Sequence, residues 1–532
     1  MEQKSFFAAS RPSLVVTLFL LFGIALAIRV YDLTDLPLDF HPTRQLFSAA
    51  KARGMYYETL PDVPEWQREF AIQQWKTKVT IEPEIMERLA AFIYRYTGEQ
   101  LWIPRLVSSM VWLVGGIFIY LLARDMLSVD GAVLALAFYL FVPYGIFASR
   151  SFQPDPLMVA LIVAFWWLIF RWANLTPGLS PYRRGESWKW AILTGLIGGL
   201  AIFVKFVAVF FVIGGALGAL LGQFKLRDLV RDPQVWTIGL LGLLPGGAWI
   251  VYGKLVAGLF GGDMSGRFIP ALLASPLFYV QWQTKAAAVA GGIGIMLGLL
   301  GLFLVRERSL RAFLLGIWAA YLAFGLYFNY HISTHDYYSL PLIPIVAVSL
   351  APLGDWFFAR LRDIVPASSL QGEGGAGSPY GDDAGWVRGA VSVILLYGIF
   401  STVWNVRNEL KSVDYRPQAA HWAEIRETLG SKTSVVALTE DYGNPLAYWG
   451  WQRATIWPSS GDLYQADVRG NQRDIEKLFK EITDQKAFFL VTDLEDFAKQ
   501  PDLQAELTIY PVLVRGDGYL IYDLQHPLEA QP

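Results

Sequence analysis

Leu38-Asp39-Phe40-His41-Pro42-Thr43-Arg44-Gln45 places a carboxylate, an imidazole and a guanidinium just beyond the first apolar stretch of the chain. Comparable side chains recur near the ends of later apolar stretches. They are Glu82 and Glu84 in Glu82-Pro83-Glu84, Arg105, Arg150 and Asp155 around Pro154, and Lys205 inside a long apolar run. Asp263 and Arg267 lie in a Gly-rich loop, and His335 and Tyr338 in His331-Ile-Ser-Thr-His335-Asp336-Tyr337-Tyr338-Ser-Leu-Pro341. Carboxylates with several cations on one membrane face suit a transfer in which an acid group takes a proton and cations hold a phosphate.

Each residue also has a plainer reading. Asp39 fits an ordinary loop acid, and His41 beside Pro42 fits a cap on the next helix. Arg44 could pair with Glu58 or a lipid headgroup. Glu82 and Glu84 suit a helix N-terminus, where the dipole favours acids. Asp155 suits an N-cap, and Lys205 could snorkel to a headgroup. His335 and Tyr338 fit a membrane interface, and Asp263 reads as a loop acid.

The elements that position these residues follow from composition. The 532 residues are 54% hydrophobic and 17% charged, against about 25% charge in a soluble domain. Many apolar stretches approach the roughly 20 residues that cross about 30 Å of hydrocarbon. Expected spans lie near 13–30, 103–123, 130–148, 155–172, 189–204, 206–222, 235–256, 286–305, 311–329, 337–358 and 387–404. The first lacks a small-residue cleavage site and reads as a retained span rather than a signal peptide. The run around Lys205 is too long for one span. Mid-bilayer lysine costs about 2.5–3.5 kcal/mol, so two helices should meet there with Lys205 at the corner.

Every second short loop is basic, from Lys4 and Arg11 onward. This alternation predicts a cytoplasmic N-terminus, an extracytoplasmic C-terminus and an odd number of spans. Residues 31–102 then form a large outer loop, with surface helices over 43–57 and 84–96. Residues 363–386, with a Gly-rich stretch at 371–378, read as a flexible cytoplasmic linker. Residues 405–532 alternate strand-like runs at 434–438, 487–491, 512–514 and 519–522 with helices at 418–429 and 473–482. The expected architecture is a polytopic α-helical membrane domain over 1–404, followed by a small extracytoplasmic α/β domain over 405–532.

Net charge of −2 implies no polyanion surface and no nucleic-acid partner. The absence of cysteine excludes disulfides, thiolate zinc sites and cysteine nucleophiles. Asp39, Glu82, Glu84 and His41 leave a divalent metal open, with no diagnostic spacing. Asn174-Leu175-Thr176 is a formal glycosylation acceptor in a predicted cytoplasmic loop.

The ordered set resembles the GT-C superfamily of polyprenyl-phosphate-sugar-dependent glycosyltransferases, nearest the protein O-mannosyltransferase and lipid A aminoarabinose transferase branch. It spans roughly residues 10–360. It rests on Asp39 after the first span, Glu82-Pro83-Glu84, Ile103-Pro104-Arg105-Leu106-Val107-Ser108 and Arg150…Pro154-Asp155. Lys205 and His335-Asp336-Tyr337-Tyr338-Ser339-Leu340-Pro341 complete it. Two departures stand out. Phe40-His41 follows Asp39 where the family often has a second acid, and Glu-Pro-Glu replaces a basic-Pro-Pro stretch.

The resemblance implies a lipid-phosphate sugar donor and a protein, glycolipid or glycan acceptor. Lys205 with Arg44, Arg105 or Arg150 would neutralise the leaving phosphate, and Asp39 would take the acceptor's proton. Glu82 or Glu84 would supply a second acid, and His41, Asp155, His335 and Tyr338 would contact substrate. Attack opposite the phosphate would invert the anomer. The rivals are a transporter, which would place polar groups at mid-membrane, a non-catalytic scaffold, and a ligase or polymerase of lipid-linked glycans. A bacterial inner membrane is the expected location.

Overall fold

The computed structural model describes residues 5–8, 11–79, 81–174, 187–259, 268–364, 383–430, 434–468, 470–471 and 473–528. Asp263, Arg267, the acceptor residues Leu175 and Thr176, and the Gly-rich stretch 371–378 lie outside them. The chain divides into two compact units. The first holds residues 1–34, 79–90 and 100–413, and the second holds 35–78, 91–99 and 414–532.

The first unit is helical. Seven helices among the described residues are long and apolar enough to cross a membrane: Arg11–Val30, Trp102–Met126, Asp155–Asn174, Pro233–Leu255, Arg308–Tyr327, Asp336–Leu361 and Gly389–Leu410. Two bent pairs and the shorter apolar helices Trp188–Val204 and Ala208–Gln223 join them. Each expected apolar stretch therefore falls on helix, but two are not straight spans. The stretch at 130–148 bends by 62° between Val129–Phe141 and Pro143–Ser149, because Pro143 has no N–H to continue the ladder. The stretch at 286–305 begins earlier and turns by 91° between Pro276–Ala290 and Gly292–Leu304. Gly291, at φ 71° and ψ 127°, makes that corner.

Burial separates core from lipid face. Asp155–Asn174 is packed on nearly all sides, with Trp166 and Trp172 fully buried. Pro233–Leu255 and Gly389–Leu410 leave Leu240, Leu244, Val393 and Ile394 exposed. Apolar helices that turn such surface outward suit lipid, not water. The chain is an integral membrane protein.

The second unit is α/β. Its five strands are β1 Val435–Leu438, β2 Ala454–Ile456, β3 Phe488–Val491, β4 Val512–Gly516 and β5 Tyr519–Asp523. They lie in the order β2-β1-β3-β5-β4. β1 runs parallel to β2 and β3, while β5 runs antiparallel to β3 and β4. Alternation along β1 sends Val435 and Ala437 to a core with Trp422, Ile425 and Leu429. Val436 and Leu438 go to a second core with Trp457, Phe479 and Phe489. Helices Pro42–Tyr57 and Glu65–Thr77 belong to this unit. The second was not expected, because its sequence is largely polar, and β2 was missed because it is only three residues long.

Candidate functional site

The candidate residues fall into two groups, one in each unit. In the first unit Lys205 stands at the break between helices ending at Val204 and starting at Ala208. Its backbone N–H still reaches Ala201 O, and its carbonyl accepts from Ala208 N. The side chain is 7% exposed. Its ammonium lies 2.8 Å from Asp155 and 3.6 Å from Glu82. Desolvating an ammonium is costly unless carboxylates answer it. Asp155 opens the Asp155–Asn174 helix, so it is a helix-start acid and an ion-pair partner at once. Glu82 follows Ile81, whose carbonyl accepts from the Trp249 indole at 3.0 Å.

Aromatic rings cover the same ammonium. The Tyr337 and Tyr338 centroids lie 5.4 and 5.8 Å from Lys205 Nζ, within cation–π range. His331 and His335 stack 5.7 Å apart, and Tyr338 lies 5.0 Å from His331 and 6.1 Å from His335. The structure thus gathers Glu82, Asp155, Lys205, His335 and Tyr338. Glu84 instead meets Arg88, one helical turn on, at 3.5 Å.

Arg105 and Arg150 are almost fully buried nearby in the fold. Arg150 Nη1 donates to Tyr31 O at 2.8 Å, and Arg105 donates to Arg150 O and Leu33 O at 3.2 and 3.3 Å. Arg29, which no motif singled out, donates to Ser149 Oγ, Ala25 O and Leu140 O. These guanidiniums satisfy carbonyls around the end of the Arg11–Val30 helix, which has run out of intrahelical donors there. A cation in the last turn of the first apolar stretch was the available signal for Arg29.

The helix that Asp155 opens and the one that ends just before Lys205 also line, with Trp102–Met126, a groove of about 590 Å³. Leu106, Met110, Leu157, Leu161, Leu193 and Ile197 give it an apolar wall. Leu106 follows Arg105 in the chain, and Leu157 is two residues from Asp155.

In the second unit, Asp39 sits half-buried in a turn that Gln45 pins. The Gln45 amide donates to Phe40 O at 2.5 Å and to Pro37 O at 3.4 Å. The Tyr415 phenol is raised by burial and by the charges of Asp39, Asp35 and Glu440. His41 caps the Pro42–Tyr57 helix from a left-handed conformation, φ 45°, and its carbonyl accepts from Arg44 N and Gln45 N. The capping role weighed for His41 is therefore met by its backbone. Arg44 stands half-buried in the helix's first turn.

Sequence spacing missed the partners of this turn. Asp441 accepts the Thr43 hydroxyl at 2.7 Å. Burial raises its carboxyl, while the Thr43 hydrogen bonds and His41 pull it back down. The ammonium groups of Lys51 and Lys78 lie 4.8 and 4.7 Å from the Phe47 centroid. Burial, then Lys51 and Arg453, lower Lys78 to about 8, and it donates to Asn444 Oδ1 at 2.7 Å. Such contacts join residues hundreds of positions apart, which no local motif reports. Among the described residues no group of three or more His, Asp or Glu side chains is arranged to hold a metal ion.

Residues 82–252 match the family model described as dolichyl-phosphate-mannose-protein mannosyltransferase. No curated protein sequence matches the chain. Among solved structures, ArnT from Cupriavidus metallidurans in the apo state aligns with TM-score 0.58 and 16% identity, over 96% of this chain and 98% of that one. The fold is similar to that of ArnT. The same protein bound to undecaprenyl phosphate aligns at 0.56 and 17%, with the same coverage. The archaeal oligosaccharyltransferase AglB from Archaeoglobus fulgidus, in complex with an inhibitory peptide and a dolichol-phosphate, aligns at 0.52 and 12%, over 90% and 69%. That likeness covers the helical membrane unit and the small α/β unit alike, the two parts expected from the sequence.

Proposed function

We propose that the chain is a membrane glycosyltransferase. It moves a sugar from a polyprenyl-phosphate donor to a hydroxyl on a protein, glycolipid or glycan acceptor. The observation that carries this reading is the buried Lys205 cluster together with an apolar groove lined by the helix that Asp155 opens and the helix that leads into Lys205. A charged head group and a long isoprenoid tail need such an adjacent pair of environments. The matched mannosyltransferase family and the undecaprenyl phosphate held by ArnT support the same donor class.

Lys205 neutralises the leaving phosphate, exchanging part of its pairing with Asp155 and Glu82 for the incoming anion. Arg105 and Arg150 hold the surrounding backbone, and their charge adds to the field on the phosphate. His335 and Tyr338 line the donor head group. Asp39 takes the proton of the attacking hydroxyl, a role that rests on its position after the first span. Arg44 and His41 bind substrate, and Glu84 stands with Glu82 as a second acid. Attack opposite the phosphate inverts the anomer. The N-terminus is cytoplasmic and the C-terminus extracytoplasmic, as the basic loops predict, and the membrane is a bacterial inner membrane.

The test is sugar release from polyprenyl-phosphate donors by purified protein in detergent. Asp39→Asn should lower turnover about 10²–10⁴-fold, the usual share of a general base, with donor binding retained. Turnover untouched by Asn would refute the role of Asp39. Absent donor binding in the unaltered protein would refute the function.

A further inference from the structure

The second unit contains a cavity of about 930 Å³ that the proposed transfer does not use. It lies within one unit, between the Glu65–Thr77 helix and the β1–β2 edge of the sheet. Its volume is at the upper end of the range for small-ligand sites.

Aromatic rings form its most distinctive wall. Trp451 sits against Tyr57, Trp66 and Phe70, with centroids 5.7, 5.8 and 5.7 Å away. Trp66 remains 44% exposed. Trp451 has φ 50°, a left-handed conformation that bulky L-residues rarely accept. Backbone strain of this kind persists where surrounding contacts enforce it, and it concentrates at binding sites. The Arg53 guanidinium packs on the same ring, 4.6 Å from the Trp451 centroid, and pairs with Glu99 at 2.7 Å.

The charge around these rings is unequal. Arg426, Arg453 and Lys486 line the cavity against the single carboxylate of Glu69. Arg426 stacks on Trp66 at 4.6 Å and Arg453 on Phe70 at 5.6 Å. Arg453 is the informative member. Its Nε and Nη2 are closed to water and have no hydrogen-bond partner among the described residues. Those two nitrogens form one edge of the guanidinium, whose parallel N–H groups match the two oxygens of a carboxylate. Native structures rarely leave such donors unpaired, and the exceptions call for an explanation.

We propose that this cavity binds a carboxylate-bearing saccharide as part of the acceptor. This deepens the glycosyltransferase reading and rests on it. The flat rings offer apolar faces to sugar rings, and Gln73 and Thr455 offer two-way hydrogen bonding to hydroxyls. The cations of Arg426, Arg453 and Lys486 meet the carboxylate. An acidic peptide would meet the cations equally, but β2 has three residues and gives little edge for strand addition.

The test is direct binding, without donor, to the full chain in detergent, followed by tryptophan fluorescence and calorimetry. The probes are trigalacturonic acid, its neutral methyl ester and hexaglutamate. Saturable binding of trigalacturonic acid is expected, weakened at least tenfold by Arg453→Gln and by Arg426→Gln, with unchanged thermal unfolding. Equal binding of the methyl ester or of hexaglutamate would overturn the proposal. So would absent binding, or affinity unchanged in two folded variants. Binding by a chain that transfers no sugar from any donor would leave the saccharide site standing and refute the transferase reading.

Discussion

Lys205 carries the sharpest consequence at the scale of single residues. Its ammonium holds two carboxylates in place, one of them 2% exposed on its side chain. Lys205→Met should destabilise the protein by about 3–5 kcal/mol, because breaking a buried pair strands a charge. The double variant Lys205→Met with Asp155→Asn should recover much of the thermal stability while transfer stays lost. Recovery of both would reduce Lys205 to a structural pair. Lys78 makes a different prediction. Its pKa, about 8 when folded, stands below the ordinary lysine value of 10.5. Between these values the folded chain has released a proton that the unfolded chain keeps. Stability conferred by Lys78 therefore climbs from pH 8 toward 10.5 and is lost as pH falls through 8. Unfolding midpoints measured from pH 7 to 9.5 should rise in the unaltered protein and rise less in Lys78→Met.

Two glycines show how the elements are held, each for its own reason. Gly291 turns the chain between Pro276–Ala290 and Gly292–Leu304, and a Cβ added there would meet nothing closer than 4.0 Å. Space is available, so Gly291→Ala should cost about 1–3 kcal/mol through backbone strain alone. Gly301 has ordinary backbone, yet an added Cβ would fall 1.9 Å from Ser349 O. Gly301→Ala should force the Gly292–Leu304 and Leu342–Ile364 helices apart and cost more than Gly291→Ala. Thermal unfolding of the two variants ranks them. Apolar runs made the long helices legible, and alternation made four of the five strands legible. The bends were not, because one proline or glycine inside an apolar run leaves its composition unchanged. Lys205 was legible as a charge in an apolar run, and so was the helix break around it. Its pairing with Glu82 and Asp155 was not, since separations of 123 and 50 residues carry no periodic signal. Trp451 and Arg453 escaped for the same reason, as aromatic and basic residues among many.

The whole molecule is interleaved. The second unit takes residues 35–78, 91–99 and 414–532, and contacts within it join the early segments to the last one. Arg53 ion-pairs Glu99 and stacks on Tyr448 at 3.5 Å, and Thr43 donates to Asp441. A fragment of residues 414–532 lacks Thr43, Arg53 and Glu99, so it should unfold without a cooperative transition, as circular dichroism on heating would show. The full chain, which carries all three, should unfold cooperatively in the same measurement. The same interleaving sets an order of events during synthesis. Residues 35–78 emerge from the ribosome before nearly all the apolar helices, yet their partners Asp441, Tyr448 and Trp451 are translated after those helices. Until translation ends, those early segments are a substrate for proteases and chaperones, and a ribosome stalled after residue 413 releases a chain that the cell's quality control can recognise by the unfinished second unit.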